Sequence, residues 1–502
     1  MVGGNMLSIL DYINSDIFSQ VYDGKLPDIT SNNVISICRE LYYAIKSGEK
    51  IFIYGDYDMD GFCASMVWVE VLSTLYNVSP EVFMYNNRTH NIDNDIVSQV
   101  DKSGARIVLI LDTGSSEVDH QLVSILALRG HIPIVIDHHN WQGVYEEYSK
   151  EYYVYNSFME KNKLGGYEVS GAYASLLVAD LLCKEFNHSL SYNAMVYALA
   201  SMYSDVVDLS TPPGRALYNL VSSVKMPGPN LFLAMNEWNY SFSRRFFSYI
   251  IAPKINACFR TENFSPLNKA LVAKDRYSMN KVIQSFKEVH NESIALVNTF
   301  IKTLKRERFG GIVLCVHEAT DETKMLHVRN FSGLMANAVA KEEKSMVIVV
   351  IKDDNTYSGS YRDFHNRKML NKFKLFCEAE GHDTAFAVSF YDYKDFVRHL
   401  KALSNILITR HNMDYNVLSS SLITSKEDIQ VLAVYNEFMN VKSMAMINHR
   451  CEFARTIKVT QYKRFYDVGL PYNVISVYPL LAGSNILLEP TITGNVELRC
   501  VE

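Results

Sequence analysis

Eight cysteines are spread over 502 residues without a single CxxC pair. This argues against a zinc ribbon and against a dense disulfide framework. Cys38, Cys63, Cys183, Cys258, Cys315, Cys377, Cys451 and Cys500 are expected to be free, mostly buried thiols of a reducing compartment. No uninterrupted apolar run reaches about 18 residues, so no membrane span is expected. The opening MVGGNMLSILDYINSD lacks a basic stretch followed by a long apolar run, which argues against a signal peptide and for a cytoplasmic location. A basic excess is also missing. The formal net charge of -6 argues against nonspecific nucleic-acid binding over the whole surface and leaves room only for a local basic channel. Internal repeats and low-complexity segments are absent. What remains is a chain with 48% hydrophobic residues, enough for sizeable cores, and a length that suggests about three domains.

Residues 33–47 carry apolar positions at helical spacing. KIFIYGDYD then has the pattern of a short buried strand running into an acidic loop, and CASMVWVEVLSTLY returns to a helix. The alternation continues with a strand in RIVLILDTG, a helix in HQLVSILALRG and a strand in PIVIDHH. Apolar strands alternating with helices predict a parallel α/β domain, whose ligands gather beyond the carboxyl ends of the strands. Residues 170–200 are expected to be helical, and residues 268–307, charged and poor in Gly and Pro, form a long helical connector. After Gly310 and Gly311, IVLCV and SMVIVVI begin a second α/β unit, with DDNTYSGSYRD as a polar loop. Beyond about residue 410, short β-like runs (RTIKVTQY, VISVY, NILLEP) predict a small β domain.

Three expected strand ends carry metal-type side chains: Asp56, Asp58 and Asp60; Asp112; and Asp137, His138 and His139. Magnesium and manganese prefer oxygen ligands, and manganese also accepts imidazole. Two such ions can clamp both oxygens of a phosphoryl displacement, which requires several carboxylates with at least one shared. Gly61 supplies a tight bend after the acidic stretch. Any one of these segments alone has a bland explanation, as a solvated acidic turn, a helix cap or polar strand-end residues. Their convergence on one sheet edge does not.

The segments AIKSGEKIFIYGDYDMDG, LILDTG, VIDHH and MYSDVVDL, in that order, resemble the first four motifs of the RecJ-type DHH phosphoesterases, and IAPKINACFR (251–260) resembles a segment of the RecJ branch. The resemblance implies a parallel-sheet DHH catalytic domain (1–265), a helical connector (266–307), a second α/β domain like the DHH-associated (DHHA1) domain (308–410) and a small β-rich, OB-like domain (411–502). It also implies two divalent ions, Mn2+ or Mg2+, bound by Asp58, Asp60, Asp112, His138 and Asp205. Asp112 would bridge them, and Asp56 and Asp137 would orient the ligands. His139 would face the scissile phosphate or the leaving oxygen. Metal coordination makes water acidic enough to attack, so no protein nucleophile is required.

For substrate, the resemblance implies Arg88, Asn256, Arg260, Ser360, Arg362, Gly381 and His382, the last two in a loop that corresponds to a Gly-Gly-His motif. Guanidinium groups, backbone amides and a hydroxyl suit phosphate oxygens. Departures from the family pattern are Glu380 in place of a glycine, DTGSS after the second motif, and Lys254 where arginine is usual. In residues 448–467, Arg450, Arg455, Lys458, Lys463 and Arg464 interleave with Phe453, Tyr462, Phe465 and Tyr466, a composition suited to holding a single strand. The implied activity is 5′-to-3′ hydrolysis of single-stranded DNA to mononucleotides. Its protein partners would be a single-strand-binding or other replication or repair protein. Two alternatives stay open: a phosphodiesterase for short oligonucleotides or cyclic dinucleotides, and a non-catalytic replication or repair scaffold.

Overall fold

The computed structural model describes residues 25–406, apart from 77–80, 84–91, 144–150, 161–163, 210, 224–229, 236–241, 365–368 and 383–384. Beyond residue 406 it describes Ile429 and seven strands. The first sheet consists of β1 (Ile51–Gly55), β2 (Glu81–Phe83), β3 (Ile107–Leu111), β4 (Ile132–Asp137) and β5 (Tyr153–Asn156), in the order β2-β1-β3-β4-β5. All neighbours are parallel. Strands β1 and β3 are buried along their whole length, which explains why they are continuous apolar runs rather than alternating ones.

Helices cover both faces. On one lie α1 (Asn32–Lys46), α2 (Met59–Tyr76), α5 (Gly171–Glu185) and α6 (Tyr192–Ser204), packed on Ile51, Ile53, Leu109, Leu111 and Ile136. On the other lie α3 (Asn94–Ser103) and α4 (Glu117–Leu128), packed on Phe52, Tyr54, Val108, Ile110 and Val135. The chain leaves β1 towards β2 on one side and then crosses to β3 on the other. The strand order therefore reverses between β1 and β3, and the crevice beyond their carboxyl ends is where ligands bind in such sheets.

Helix α7 (Ala252–Arg260) follows a π-helical turn (Phe247–Ile251) and packs on the long α8 (Arg276–Lys302). The second sheet contains β6 (Lys305–Phe309), β7 (Ile312–Glu318), β8 (Met346–Asp353), β9 (Thr356–Asp363), β10 (Glu378–His382) and β11 (Ala385–Phe390), in the order β10-β11-β9-β8-β7-β6. Part of one face is covered by α9 (Ser332–Glu343), and the opposite face by α10 (Tyr393–Ile406).

Three sequence expectations are corrected here. Residues 305–307, read as the end of a helical connector, belong to the exposed edge strand β6, paired antiparallel with β7; charged side chains suit such an edge. DDNTYSGSYRD is no loop. It is the end of β8, a two-residue connection with Asp354 at φ 52, and β9, which lies hydrogen-bonded between β8 and β11. Glu380, Gly381 and His382 likewise belong to β10 rather than to a loop. Pairing with neighbouring strands overrides the Ser- and Gly-containing local character of β9 and β10.

The β-rich tail is a seven-stranded mixed sheet. It is made of β12 (Asn416–Ser419), β13 (Ala445–Arg450), β14 (Arg455–Val459), β15 (Arg464–Asp467), β16 (Val474–Ser476), β17 (Asn485–Pro490) and β18 (Val496–Val501), in the order β12-β13-β17-β18-β16-β15-β14. Arg450, Arg455, Lys458, Arg464, Phe465 and Tyr466 lie on its strands, but their side chains, and all of Phe453, Tyr462 and Lys463, are outside the described residues. Among the described residues, no helix is long and apolar enough to cross a membrane.

Candidate metal centre

Strand β1 delivers Asp56, which is buried and donates its amide to the Leu111 carbonyl at 3.1 Å, so the ends of β1 and β3 are tied together. Asp58 then caps α2: its Oδ1 accepts from the amides of Asp60 (2.7 Å) and Gly61 (3.1 Å). Asp60 therefore sits in the first helical turn rather than in the loop expected from sequence. Gly61 is required for space, not for bending, since a Cβ there would lie 2.3 Å from the Asp56 carbonyl oxygen.

Asp60 is held by the start of α5. Gly171 donates its amide to Oδ2 at 2.7 Å, Ala172 donates its amide to Oδ1 at 2.8 Å, and the Ser201 hydroxyl donates to Oδ1 at 2.5 Å. Amides at a helix N-terminus favour a carboxylate in the charged form. Asp112 follows β3 with φ 60, a strained conformation for a non-glycine residue, and donates its amide to the Ile136 carbonyl at 3.0 Å. A Cβ on Gly171 would come within 2.4 Å of Asp112 Oδ1, so α5 can approach this closely only with glycine.

His138 lies among three carboxylates. Its Nε2 is 3.2 Å from Asp112 Oδ1 and 3.7 Å from Asp60 Oδ2, and its Nδ1 is 3.8 Å from Asp205 Oδ2. Asp205 caps the carboxyl end of α6, where the helix dipole opposes a negative charge. Burial pushes its carboxyl up to about 7, against the pull of His138. Burial, with Asp60 and Asp58, holds Asp112 well above the usual carboxylate range. Burial lowers the basicity of His138, but Asp205, Asp60 and Asp137 outweigh it and raise the imidazole above its ordinary value.

Asp137 is fully buried and points back onto its own loop. Its Oδ1 accepts from the amides of His138 (2.7 Å) and His139 (3.3 Å), and it lies 2.8 Å from His139 Nδ1. Burial would raise Asp137, but His139 and His138 hold it well below the ordinary carboxylate value. Burial would lower His139, but the Asp137 carboxylate raises it to about 10. The His139 ring is 54% exposed, so it faces the crevice while Asp137 fixes its orientation.

These side chains fit divalent cations. Ligand atoms lie within 4.8 Å of one another in three groups: Asp56, Asp58 and Asp112; Asp60, His138 and Asp205; and Asp112, Asp137, His138 and His139. Asp112 and His138 each belong to two groups, as a shared ligand set requires. Mutually repelling buried carboxylates are costly without a counter-charge, and the oxygen-plus-imidazole donor set is one that manganese or magnesium accepts.

A cationic site lies alongside. Arg260, at the end of α7, and Arg362, on β9, are close enough that Arg362 opposes the charge on Arg260. Burial and Arg362 together bring Arg260 down to about 10, while Tyr57 and Asp58 hold it up. Burial lowers Arg362 too, and its Nη1 donates to the Tyr361 carbonyl at 2.6 Å. Ser360 and Ser332, the first residue of α9, share a hydrogen bond at 2.9 Å. A Cβ on Gly333 would stand 2.9 Å from Arg362 Nη2. Two guanidinium groups, two hydroxyls and a helix N-terminus offer the donors that a phosphate group accepts. Asn256 lies one turn before Arg260 on α7, with its Oδ1 buried and without a hydrogen bond among the described residues.

The structure thus brings together Asp56, Asp58, Asp60, Asp112, Asp137, His138, His139 and Asp205, and, beside them, Arg260, Ser360 and Arg362. Gly381 and His382 lie two strands from β9, on the sheet edge. Arg88 and the His382 side chain are outside the described residues. Sequence reasoning missed Gly171, Ala172 and Ser201, which hold Asp60; Asn156, whose Nδ2 donates to Ser115 Oγ (2.8 Å) and to the His139 carbonyl (3.0 Å); and Ser332 and Gly333. For Gly171, a signal was available in Ser170, which caps α5.

Residues 50–202 match the model of the DHH family, N-terminal domain. No curated protein matches the chain by sequence. Among solved structures, the fold is similar to RecJ of Thermus thermophilus in complex with Mn2+, with a TM-score of 0.72 and 15% identity over 96% of this chain and 73% of that one. For the same protein in complex with Mg2+ the TM-score is 0.65, at 14% identity over 97% and 73% of the two chains. For exonuclease RecJ bound to manganese it is 0.58, at 15% identity over 75% and 95%. Residues 50–202 thus match a DHH-family domain, and the fold as a whole is similar to that of RecJ.

Proposed function

We propose that this protein is a metal-dependent exonuclease that hydrolyses single-stranded DNA from the 5′ end to mononucleotides. The observation that carries the reading is the convergence of Asp58, Asp60, Asp112, His138 and Asp205 at the sheet's reversal point, with the Arg260–Arg362 cradle next to it. The names of the similar structures, RecJ with manganese or magnesium, agree with it.

Asp58, Asp60, Asp112, His138 and Asp205 would hold two divalent cations, Mn2+ or Mg2+, with Asp112 shared between them. Such ions supply charge neutralisation at the phosphoryl group and an acidified water. The chain's own residues do the rest. Asp60 is oriented by the α5 amides before substrate arrives, which lowers the reorganisation needed during reaction. Arg260, Arg362, Ser332 and Ser360 fix the terminal phosphate, and Asn256 lies beside them for a further polar contact. His139, oriented by Asp137, presents its ring to the crevice as a hydrogen-bond donor to the leaving oxygen. Residues 1–265 cut, 266–307 connect, 308–410 hold the strand end, and the basic, aromatic segment 448–467 within 411–502 tracks the strand. The second sheet begins at Lys305, a few residues before the boundary expected from sequence. A single-strand-binding or other replication or repair protein would deliver the substrate in the cytoplasm.

The test is degradation of single-stranded DNA labelled separately at each end, in manganese, magnesium or chelator, beside a dinucleotide. Metal-dependent release of mononucleotides from the 5′ end supports the proposal. Cleavage of the dinucleotide alone transfers the protein to the short-oligonucleotide class, and no cleavage in any metal leaves the scaffold role.

A further inference from the structure

Beside the phosphate cradle, where α9 lies on Ser360 and Arg362 of β9, Ala387 of β11 and Glu378 and Glu380 of β10 leave the continuing face of the sheet exposed. Pairing sets what stands on it: Arg362 is opposite Ala385 and then His382, Ser360 is opposite Ala387 and then Glu380, and Ser358 is opposite Ser389 and then Glu378. Alternate residues on the same strands, Tyr361, Phe386 and Val388, turn into the core beneath. Ala387 and Glu380 are exposed, whereas Ser360 is half-buried. Neighbouring strands lie about 4.8 Å apart, so Glu380 is ~10 Å from Ser360 across a shelf on which the intervening side chain is a single methyl group. Beyond the backbone pairing of β10 with β11, the side chains of Glu378 and Glu380 make no hydrogen bond or ion pair among the described residues. One end of the shelf is therefore doubly cationic and the other doubly anionic.

We infer that Glu380, reinforced by Glu378, is a specificity-determining residue. It admits a nucleic-acid end carrying a single phosphate in the Arg260–Arg362 cradle and rejects an end that continues into a chain of phosphates. The inference rests on the phosphodiesterase reading of that cradle. A single phosphate is neutralised where it sits by the two guanidinium groups. A second or third phosphate extends along the shelf, where a carboxylate with no compensating cation among the described residues repels it through solvent-facing space. Across ~10 Å of partly screened medium, the discrimination is roughly threefold to tenfold for each added phosphate charge. Charged side chains on an edge strand also discourage pairing with other sheets, but that role alone has no consequence for end chemistry.

The experiment compares oligonucleotides of one sequence bearing a 5′-hydroxyl, 5′-monophosphate or 5′-triphosphate, with full-length wild type, E380Q and E378Q in Mn2+. Wild type is expected to show a higher KM for the triphosphate than for the monophosphate. E380Q is expected to narrow that ratio threefold to tenfold with kcat little changed, and E378Q to narrow it less. Equal ratios in wild type and E380Q overturn the inference and leave edge protection as the role of these carboxylates. If no oligonucleotide is hydrolysed, the exonuclease reading fails. The end preference is then read from equilibrium binding of the same three oligonucleotides, where a ratio insensitive to E380Q overturns the inference separately.

Discussion

Replacing Gly171 by alanine tests the geometry of the centre through a residue with no chemistry of its own. The added Cβ would stand 2.4 Å from Asp112 Oδ1 and 2.7 Å from its Cβ and Cγ. Relief to an ordinary contact of about 3.5 Å requires a separation of roughly 1 Å. Neither side yields easily. Asp112 is buried, fixed by the hydrogen bond that its amide donates to the Ile136 carbonyl, and held at φ 60. The start of α5 is fixed by two amide bonds to Asp60. Either movement displaces a carboxylate of the centre, and a misplacement near 1 Å costs about 10²-fold in rate. Overpacking itself costs ~1–3 kcal/mol, which lowers the melting temperature without unfolding the domain. The assay is hydrolysis rate together with calorimetric Mn2+ affinity, checked against the melting temperature. A G171A protein with wild-type rate and metal affinity would refute the proposed positioning of Asp112 and Asp60 by α5.

D112A is expected to abolish hydrolysis while raising the melting temperature of the chelated protein, because it removes a buried carboxylate that faces Asp60 and Asp58; differential scanning calorimetry in chelator checks it. R362K is expected to raise KM about tenfold with a smaller change in kcat, since lysine cannot present the paired donors of a guanidinium; steady-state kinetics on a 5′-phosphorylated strand decide it. Because the Asp205 carboxyl is raised to about 7 in the folded state, the chelated protein gains proton-linked stability at low pH. That stability is lost as pH rises from about 4 through 7, by a few kcal/mol at ~1.4 kcal/mol per unit before screening. Urea unfolding at pH 5 and 7 should show the fall in wild type and a flatter profile in D205N.

The candidate ligands on the first sheet were legible because each follows an apolar strand, and the chemistry of a strand end can be read locally. Asp58, Asp112 and His138 needed no knowledge of distant contacts, whereas Asp205 entered only through the resemblance of MYSDVVDL to a family motif. What holds them did need it. Ser201 and Asp60 are 141 residues apart, and Gly171 and Asp60 are 111 apart, so no local pattern joins them. The parallel sheet was readable from its buried apolar runs. β9 and β10 were not, because Ser-Gly-Ser and Glu-Gly-His have turn-like composition and become strands only when paired, β9 between β8 and β11 and β10 against β11. β6 failed for a related reason: charge suits an exposed helix and an exposed edge strand equally well. Arg260 and Arg362 could be assigned to phosphate from type and motif, but their convergence with Ser332 and Gly333 depends on how α7, α9 and β9 meet.

Diffraction from crystals soaked in Mn2+, recorded at the manganese absorption edge, examines the centre directly. The expected result is anomalous density bounded by Asp58, Asp60, Asp112, His138 and Asp205, lost in D112A crystals. Strong anomalous density elsewhere on the chain, with none between these residues, would contradict their assignment as a metal centre.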